Sequence, residues 1–356
     1  MAMAMANNNT AVVIIIFIAF FVVDSDSSSS PPVLVEVDAS GNGDYLKIQD
    51  AIDAAVPPNN SHHFFILVKP GIYREKILVP HDKPFVTLSG TNVSSSSPTV
   101  ITWADSGDIF RSPTVSVFAS DFVARFLTIQ NSYGVGAKAV ALRVSGDRAA
   151  FVGCRILSHQ DTLLDERGRH YYLDSYIEGD IDFIFGNGAS LFEKCHLHSV
   201  AEGNGGGAIT AQRRQSPAEE TGFTFLNCKV TGAAAGAALL GRPWGNYSRV
   251  VFARSYMSAA VGAQGWNDWG APAKQRTVYY GEYRCYGAGA RTGGRVKWSR
   301  QLSEEEAAPY LTEGMIGGTS WIKSQPSHFR RFSRAHVGRR INGTTRAMLF
   351  NHLYHR

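Results

Sequence analysis

Residues 151–156 read Phe151-Val152-Gly153-Cys154-Arg155-Ile156, and the pattern returns as Tyr172-Leu173-Asp174-Ser175-Tyr176-Ile177 and as Phe192-Glu193-Lys194-Cys195-His196-Leu197. Each copy places an aromatic residue first, a small residue three places on and an aliphatic residue five places on. Further copies run from Phe225 through Cys228 to Val230 and from Phe252 through Ser255 to Met257, and a looser one leads from Phe122 to Leu127. The leading residues of the regular copies recur at intervals of 20 to 33. A repeat of that length, with one short apolar face per unit, predicts a stacked solenoid. Period-two alternation and the Val, Ile, Phe and Tyr content select strand over helix. Regularly spaced strands also suit a β-sandwich, but sandwich strands have no reason to repeat the same small residue in one phase. In a parallel β-helix, equivalent positions of successive coils lie about 4.8 Å apart, so small residues stack in a tight interior row. The expected fold class is therefore all-β, a single-stranded parallel β-helix.

Three of the four cysteines, Cys154, Cys195 and Cys228, fall in that small-residue row. An even count in a chain bound for an oxidising compartment usually suggests disulfides. The row phase argues instead for buried thiols acting as small hydrophobes. Cys195 and Cys228 fall on neighbouring copies, where a bridge requires suitable Cβ vectors. No C-x-x-C or Cys/His spacing suggests a metal.

The 356 residues, 44% hydrophobic with 35 glycines, suffice for one long core with many tight turns. Residues 11–23 form an unbroken apolar run, too short to span a membrane and placed where a secretory signal belongs. No Lys or Arg precedes it, and a Ser-rich stretch follows. The expected organisation is a signal and linker over 1–30, a β-helix over 31–323 and a basic tail over 324–356. Sequons at Asn59, Asn92, Asn246 and Asn342 are compatible with secretion. A net charge of +5 suits a polyanionic partner. Nucleic acid is set aside because no helix-turn-helix, zinc-finger or RNP-like pattern appears, and an acidic polysaccharide fits better.

Two aspartates stand one repeat apart: Asp161 in Ser158-His159-Gln160-Asp161-Thr162-Leu163, and Asp182 in Asp182-Phe183-Ile184-Phe185-Gly186. A solenoid stacks them as a carboxylate pair. Each taken alone could merely cap a turn. As a pair, like charges a few ångströms apart resist double ionisation, so their pKa values split.

Further motifs accompany them: Gly43-Asp44-Tyr45, Gly71-Ile72-Tyr73-Arg74-Glu75, Ala139-Val140-Ala141-Leu142-Arg143, Leu240-Gly241-Arg242-Pro243-Trp244, Gly265-Trp266 and Gly281-Glu282-Tyr283. In this order the set resembles the plant pectin methylesterases (pectinesterases), from about Val33 to Ile322, in the form without an inhibitor-like pro-domain. The resemblance implies a right-handed parallel β-helix of the pectin lyase type, no cofactor or metal, and hydrolysis of methyl esters on homogalacturonan, with methanol released. It implies a secreted, cell-wall location, monomeric action, no retained membrane anchor, and a proteinaceous pectinesterase inhibitor as a conceivable partner. By resemblance Asp182 is the nucleophile, held by Arg242; Asp161 is the general acid and then base; Gln160 donates to the oxyanion. Trp244 and Trp266 are either core aromatics or platforms for sugar rings, and the family uses tryptophans of these motifs at its cleft. Departures touch the site: Lys138 stands where the family usually has glutamine, His159 replaces an aromatic residue, Ser158 a glycine and Ile109 a threonine. An ammonium at 138 could stabilise an oxyanion or lower the pKa of Asp161, so a pectin-binding wall protein with weakened catalysis is the alternative. A lyase or polygalacturonase on the same solenoid would need calcium-binding acids or a glycosidic acid cluster, and neither is evident.

Overall fold

The computed structural model describes residues 31–90, 97–203, 207–322 and 330–331. The apolar run at 11–23, two of the four sequons and most of the basic tail lie outside the described residues. The chain winds as a right-handed parallel β-helix. The central coils contribute one strand to each of three parallel sheets, which among the described residues hold twelve, eight and seven strands. One coil shows the pattern: Ala149–Val152 in the first sheet, Arg155–Leu157 in the second and Leu163–Asp165 in the third.

The repeat read from the sequence is the stacking register. Phe151, Tyr172, Phe192, Phe225 and Phe252 pair in line across the first sheet. Tyr172 and Phe192 stack with ring centroids 4.4 Å apart and planes 5° from parallel, and Phe225 and Phe252 repeat the arrangement at 4.4 Å and 14°. Such contacts contribute about 0.5–1.5 kcal/mol each beyond burial. The copy at Phe122 is out of phase by two residues. Ala124, not Phe122, pairs with Phe151, and Leu127 precedes Thr128, the partner of Arg155, so it lies opposite Cys154. At the other end Glu282 takes the aromatic position opposite Phe252, and the last ring contact on Phe252 comes edge-on from Trp266.

All four cysteines are free. The thiols of Cys195, Cys228 and Cys285 reach the carbonyls of Tyr172, Phe192 and Phe252 on the preceding coil. The alternating Ser175 and Ser255 hydroxyls receive the backbone N–H of Cys154 and Cys228 in the same row. The row thus serves backbone groups at the corner between the first and second sheets. That corner turns on a single left-handed residue per coil, among them Asp174, Lys194, Asn227, Arg254 and Arg284.

A polar cluster lies inside the core around Asp165. Asp165 accepts from Tyr172 and Ser190 and pairs with His170 Nδ1 at 3.0 Å, while His170 Nε2 lies 3.0 Å from the Gly146 carbonyl. Burial alone would lower the His170 pKa, but the Asp165 charge and these two acceptors outweigh it and hold it raised.

The helix Ile48–Ala55 packs Ile48, Ala51 and Ile52 onto the N-terminal coil, and Glu75 accepts the N–H groups of Ile48 and Gln49 at its start. Near the C-terminus, Ala307 and Ile316 cover an apolar outer patch of the first sheet that includes Leu191, Leu226 and Val251. Arg330–Arg331 returns to pair in parallel with Val33–Leu34, adding a strand to the sheet edge. Part of the segment set apart as a tail is thereby a strand of the first sheet.

Candidate active site

Asp161 and Asp182 occupy the corner where the second sheet hands over to the third. Each lies two residues before a paired position, Leu163 opposite Ile184, so they are stacked one strand spacing apart, about 4.8 Å. Both adopt left-handed backbone, φ 63° and 48°, a conformation that Asp tolerates better than most residues. The tight corner is sealed by backbone bonds from Asp161 N–H to Ile181 O and from Asp180 N–H to His159 O, both 2.9 Å. The two residues are only 5% and 6% exposed.

The two acids differ in their partners. Arg242 donates two parallel hydrogen bonds to Asp182, Nε to Oδ1 at 2.8 Å and a terminal nitrogen to Oδ2 at 2.7 Å. Its salt bridge is to Asp182 and not to Asp161. Burial, then the charge of Asp182, pushes Asp161 up to about 7, against the pull of Lys138 and Arg242. Burial also raises Asp182, but the Arg242 hydrogen bonds and charge oppose it. Asp182 stays raised on balance, and the arrangement offers one carboxyl oriented by a guanidinium beside one poised near neutral pH to give and take a proton. Asp180 adds a third acid whose charge raises both. One of its oxygens is buried without a hydrogen-bond partner among the described residues.

Gln160 sits beside Asp161 and forms a parallel bridge with Lys138; its carbonyl accepts the Ala139 N–H at 3.0 Å. Lys138 is exposed, and its charge lowers the pKa of both aspartates. Ser158 is buried and donates to the Ala139 carbonyl at 2.6 Å, which gives the hydroxyl a structural task. Trp244 is half-buried, packed against Phe185 with Arg213 stacked over it at 4.6 Å. It joins Ile109 against a small apolar cluster of Val140, Leu164, Phe185 and Ala211 on the outer face of the third sheet.

Trp266 differs from the sugar-platform expectation. It is 1% exposed, stacks on Tyr280 at 4.4 Å and donates to Glu282. Its parallel bridge with Gly241 turns the indole inward. A Cβ on Gly241 would meet Thr210 Oγ1 at 2.1 Å and Trp266 at 3.2 Å, which accounts for the glycine before Arg242. With no open indole face, Trp266 serves packing. The exposed ring nearby is Trp269, 41% exposed, with the Arg242 guanidinium 4.0 Å over its face. Sequence reasoning missed it. The available signal was a second tryptophan three residues after Trp266 in the same irregular stretch.

Among the described residues, no group of three or more His, Cys, Asp or Glu side chains could hold a metal. No helix of the described residues is long and apolar enough to cross a membrane.

The sequence profile of the pectinesterase family matches residues 34–319. The chain is 55% identical to putative pectinesterase 11 of Arabidopsis thaliana over 312 residues, 87% of this chain and 86% of that protein. It is 42% identical to pectinesterase QRT1 of the same plant over 305 residues, covering 82% and 79%. Among solved structures, carrot pectin methylesterase superposes with a TM-score of 0.77 at 35% identity, covering 83% of this chain and 96% of that one. A pectin methylesterase solved in complex with a hexasaccharide gives 0.70 at 27% identity, covering 84% and 100%.

Proposed function

The chain belongs to the pectinesterase family, and from that premise we propose that it hydrolyses galacturonate methyl esters in homogalacturonan, with Asp182 as nucleophile and Asp161 as proton carrier. The observation that carries the assignment is the asymmetry of the pair: Arg242 holds Asp182 through two hydrogen bonds, while burial keeps Asp161 near a pKa of about 7. Asp182 attacks the ester carbonyl carbon, and the carbonyl electron pair moves onto oxygen. As that pair returns, the C–O bond to methoxide breaks, and Asp161 gives its proton to the departing oxygen, so methanol leaves. The acyl group is then an anhydride on Asp182. Asp161, now ionised, takes a proton from water; the resulting hydroxide adds to the acyl carbon, and cleavage restores the Asp182 carboxylate. Gln160 and Lys138, bridged to each other beside Asp161, are the donors assigned to the transient oxyanion. Trp244 and Trp269 are the rings that can lie against sugars.

Lys138 could favour a binding protein with weakened catalysis. The Asp161 pKa of about 7 already includes the pull of Lys138, which supports the enzyme reading over that alternative. The same reading places the protein in the cell wall after secretion, as a monomer whose cleft is open to a proteinaceous inhibitor. Methanol release from highly methylated pectin is the test. Wild type should release methanol and Asp182→Ala should not, with an unchanged circular dichroism spectrum; turnover retained in the variant would remove Asp182 from its role.

A further inference from the structure

The two residues after Arg242, Pro243 and Trp244, lie outside the third-sheet strand Leu239–Gly241, and one side chain serves both of their carbonyls. Lys274, in the short 3-10 turn Pro272–Arg276, donates from Nζ to Pro243 O at 2.8 Å and to Trp244 O at 3.2 Å. Neither oxygen has another donor among the described residues. The residues on either side are tied to the preceding coil instead: Arg242 N–H bonds Thr210 O at 2.9 Å, and Gly245 N–H bonds Gln212 O at 3.1 Å. Pro243 has no N–H with which to extend that pattern. Lys274 is half-buried and has no salt-bridge partner among the described residues; burial lowers its pKa with no neighbouring charge to oppose it. Its ammonium is therefore committed to main-chain oxygens rather than to an ion pair.

The same turn also grips the loop that carries Trp269. Gln275 donates to Asp268 Oδ2 at 2.7 Å, while Asp268 Oδ1 accepts the Gly270 N–H at 3.0 Å. At the end of the turn Thr277 donates to the Asn246 carbonyl. Arg242 stands between the two gripped segments. Its main chain runs straight into Pro243, its guanidinium meets Asp182 edge-on through two hydrogen bonds, and the Trp269 ring lies 4.0 Å from its face. A two-bond fork tolerates little rotation, and a shift of the 243–244 backbone would swing the guanidinium off one carboxylate oxygen.

We propose that Lys274 is a positioning residue which, through the Pro243 and Trp244 carbonyls, holds the Arg242 fork in register with Asp182. The proposal deepens the esterase reading and rests on it for the effect on rate. Lys274 touches neither aspartate; it fixes the backbone from which the guanidinium projects, so its loss misorients the nucleophile. The Trp244 ring keeps its own contacts with Phe185 and Arg213, and substrate affinity changes little.

The test uses the full chain. Lys274→Met keeps the aliphatic stem and removes the donors, and Lys274→Arg keeps a charge and restores two donors. In protein labelled at arginine nitrogen, wild type should show a slowly exchanging Nε–H resonance from Arg242, identified by its loss in Arg242→Lys. Lys274→Met should broaden or abolish that resonance, and Lys274→Arg should retain it. In methanol release, Lys274→Met should lower kcat about ten- to a hundredfold with KM little changed, and Lys274→Arg should recover most of the loss. In an Arg242→Lys background, Lys274→Met should cost nothing further, because the fork it serves is already gone. An undisturbed Arg242 resonance in Lys274→Met, or losses in kcat that multiply in the double variant, overturns the proposal. Lys274→Gln keeps one donor; should the methionine variant fail to fold, this variant decides by the same two readouts. If wild type releases no methanol from any pectin, the esterase reading fails, while the Arg242 resonance still decides whether Lys274 holds the fork.

Discussion

Replacing Asp161 by asparagine should make the protein more stable at pH 8 while abolishing its activity. In the folded protein this carboxyl titrates near 7, against 3.8 for the ordinary group. The folded state therefore holds the proton more tightly than the unfolded chain does. Stability from this group is fully present below about pH 4, declines as pH rises and is gone above about pH 7. The full difference corresponds to roughly 4 kcal/mol at ~1.36 kcal/mol per pH unit. Water entering the cleft reduces the burial penalty, so a gain of about 2–4 kcal/mol is the expected range. Asparagine has nearly the same shape, tolerates the left-handed φ of 63° at this position and never ionises. Urea denaturation at pH 4, 6 and 8 measures the effect. The variant should match wild type at pH 4 and pull ahead steadily toward pH 8. A variant no more stable at pH 8, or one equally stabilised at pH 4, would refute the argument that burial and the Asp182 charge raise this group.

Arg242→Lys substitutes one point charge for a planar fork and should lower kcat by about two orders of magnitude with little change in the circular dichroism spectrum; near-wild-type kcat would dismiss the two-bond hold on Asp182. Lys138→Gln removes a charge that lowers the pKa of Asp161, so the alkaline limb of the kcat/KM profile should move to higher pH. Asp180→Asn removes one that raises it and should move the limb to lower pH; displacement in the same direction by both variants would contradict the electrostatic account. Trp266→Ala should cost about 3–5 kcal/mol of stability, seen as a lower urea midpoint, and an unchanged midpoint with a raised KM would return Trp266 to the substrate cleft.

The solenoid was legible because in-register stacking forces one residue class into one phase, and Phe151, Tyr172, Phe192, Phe225 and Phe252 carry that phase openly. The aspartate pair was legible for the same reason, since Asp161 and Asp182 hold equal offsets from paired strands. What stayed hidden depends on the direction of side chains at irregular corners. Gly265-Trp266 does not reveal which side of the backbone its indole takes; the close approach of Gly241 decides it. The end of the ladder was masked because Glu282, an acid in an aromatic slot, is neutralised by Arg295 at 2.8 Å and so remains in the core. The interior trio of Asp165, His170 and Tyr172 was invisible as well, because each of its members reads as an ordinary strand residue until the coils are superposed.

The placement of the two carboxyls on consecutive coils makes their separation a lattice constant. It is set by the backbone hydrogen bonds between Leu163 and Ile184 and their neighbours, not by the reach of any loop, and it can change only in whole strand spacings. Insertions elsewhere in the solenoid lengthen the rod without disturbing the pair, whereas one extra coil between the two corners would double the gap and leave Arg242 holding a carboxylate with no acid beside it. Selection on rate in such a scaffold is thus confined to the charges around a fixed ruler mark, which is where this chain carries Lys138 and Asp180.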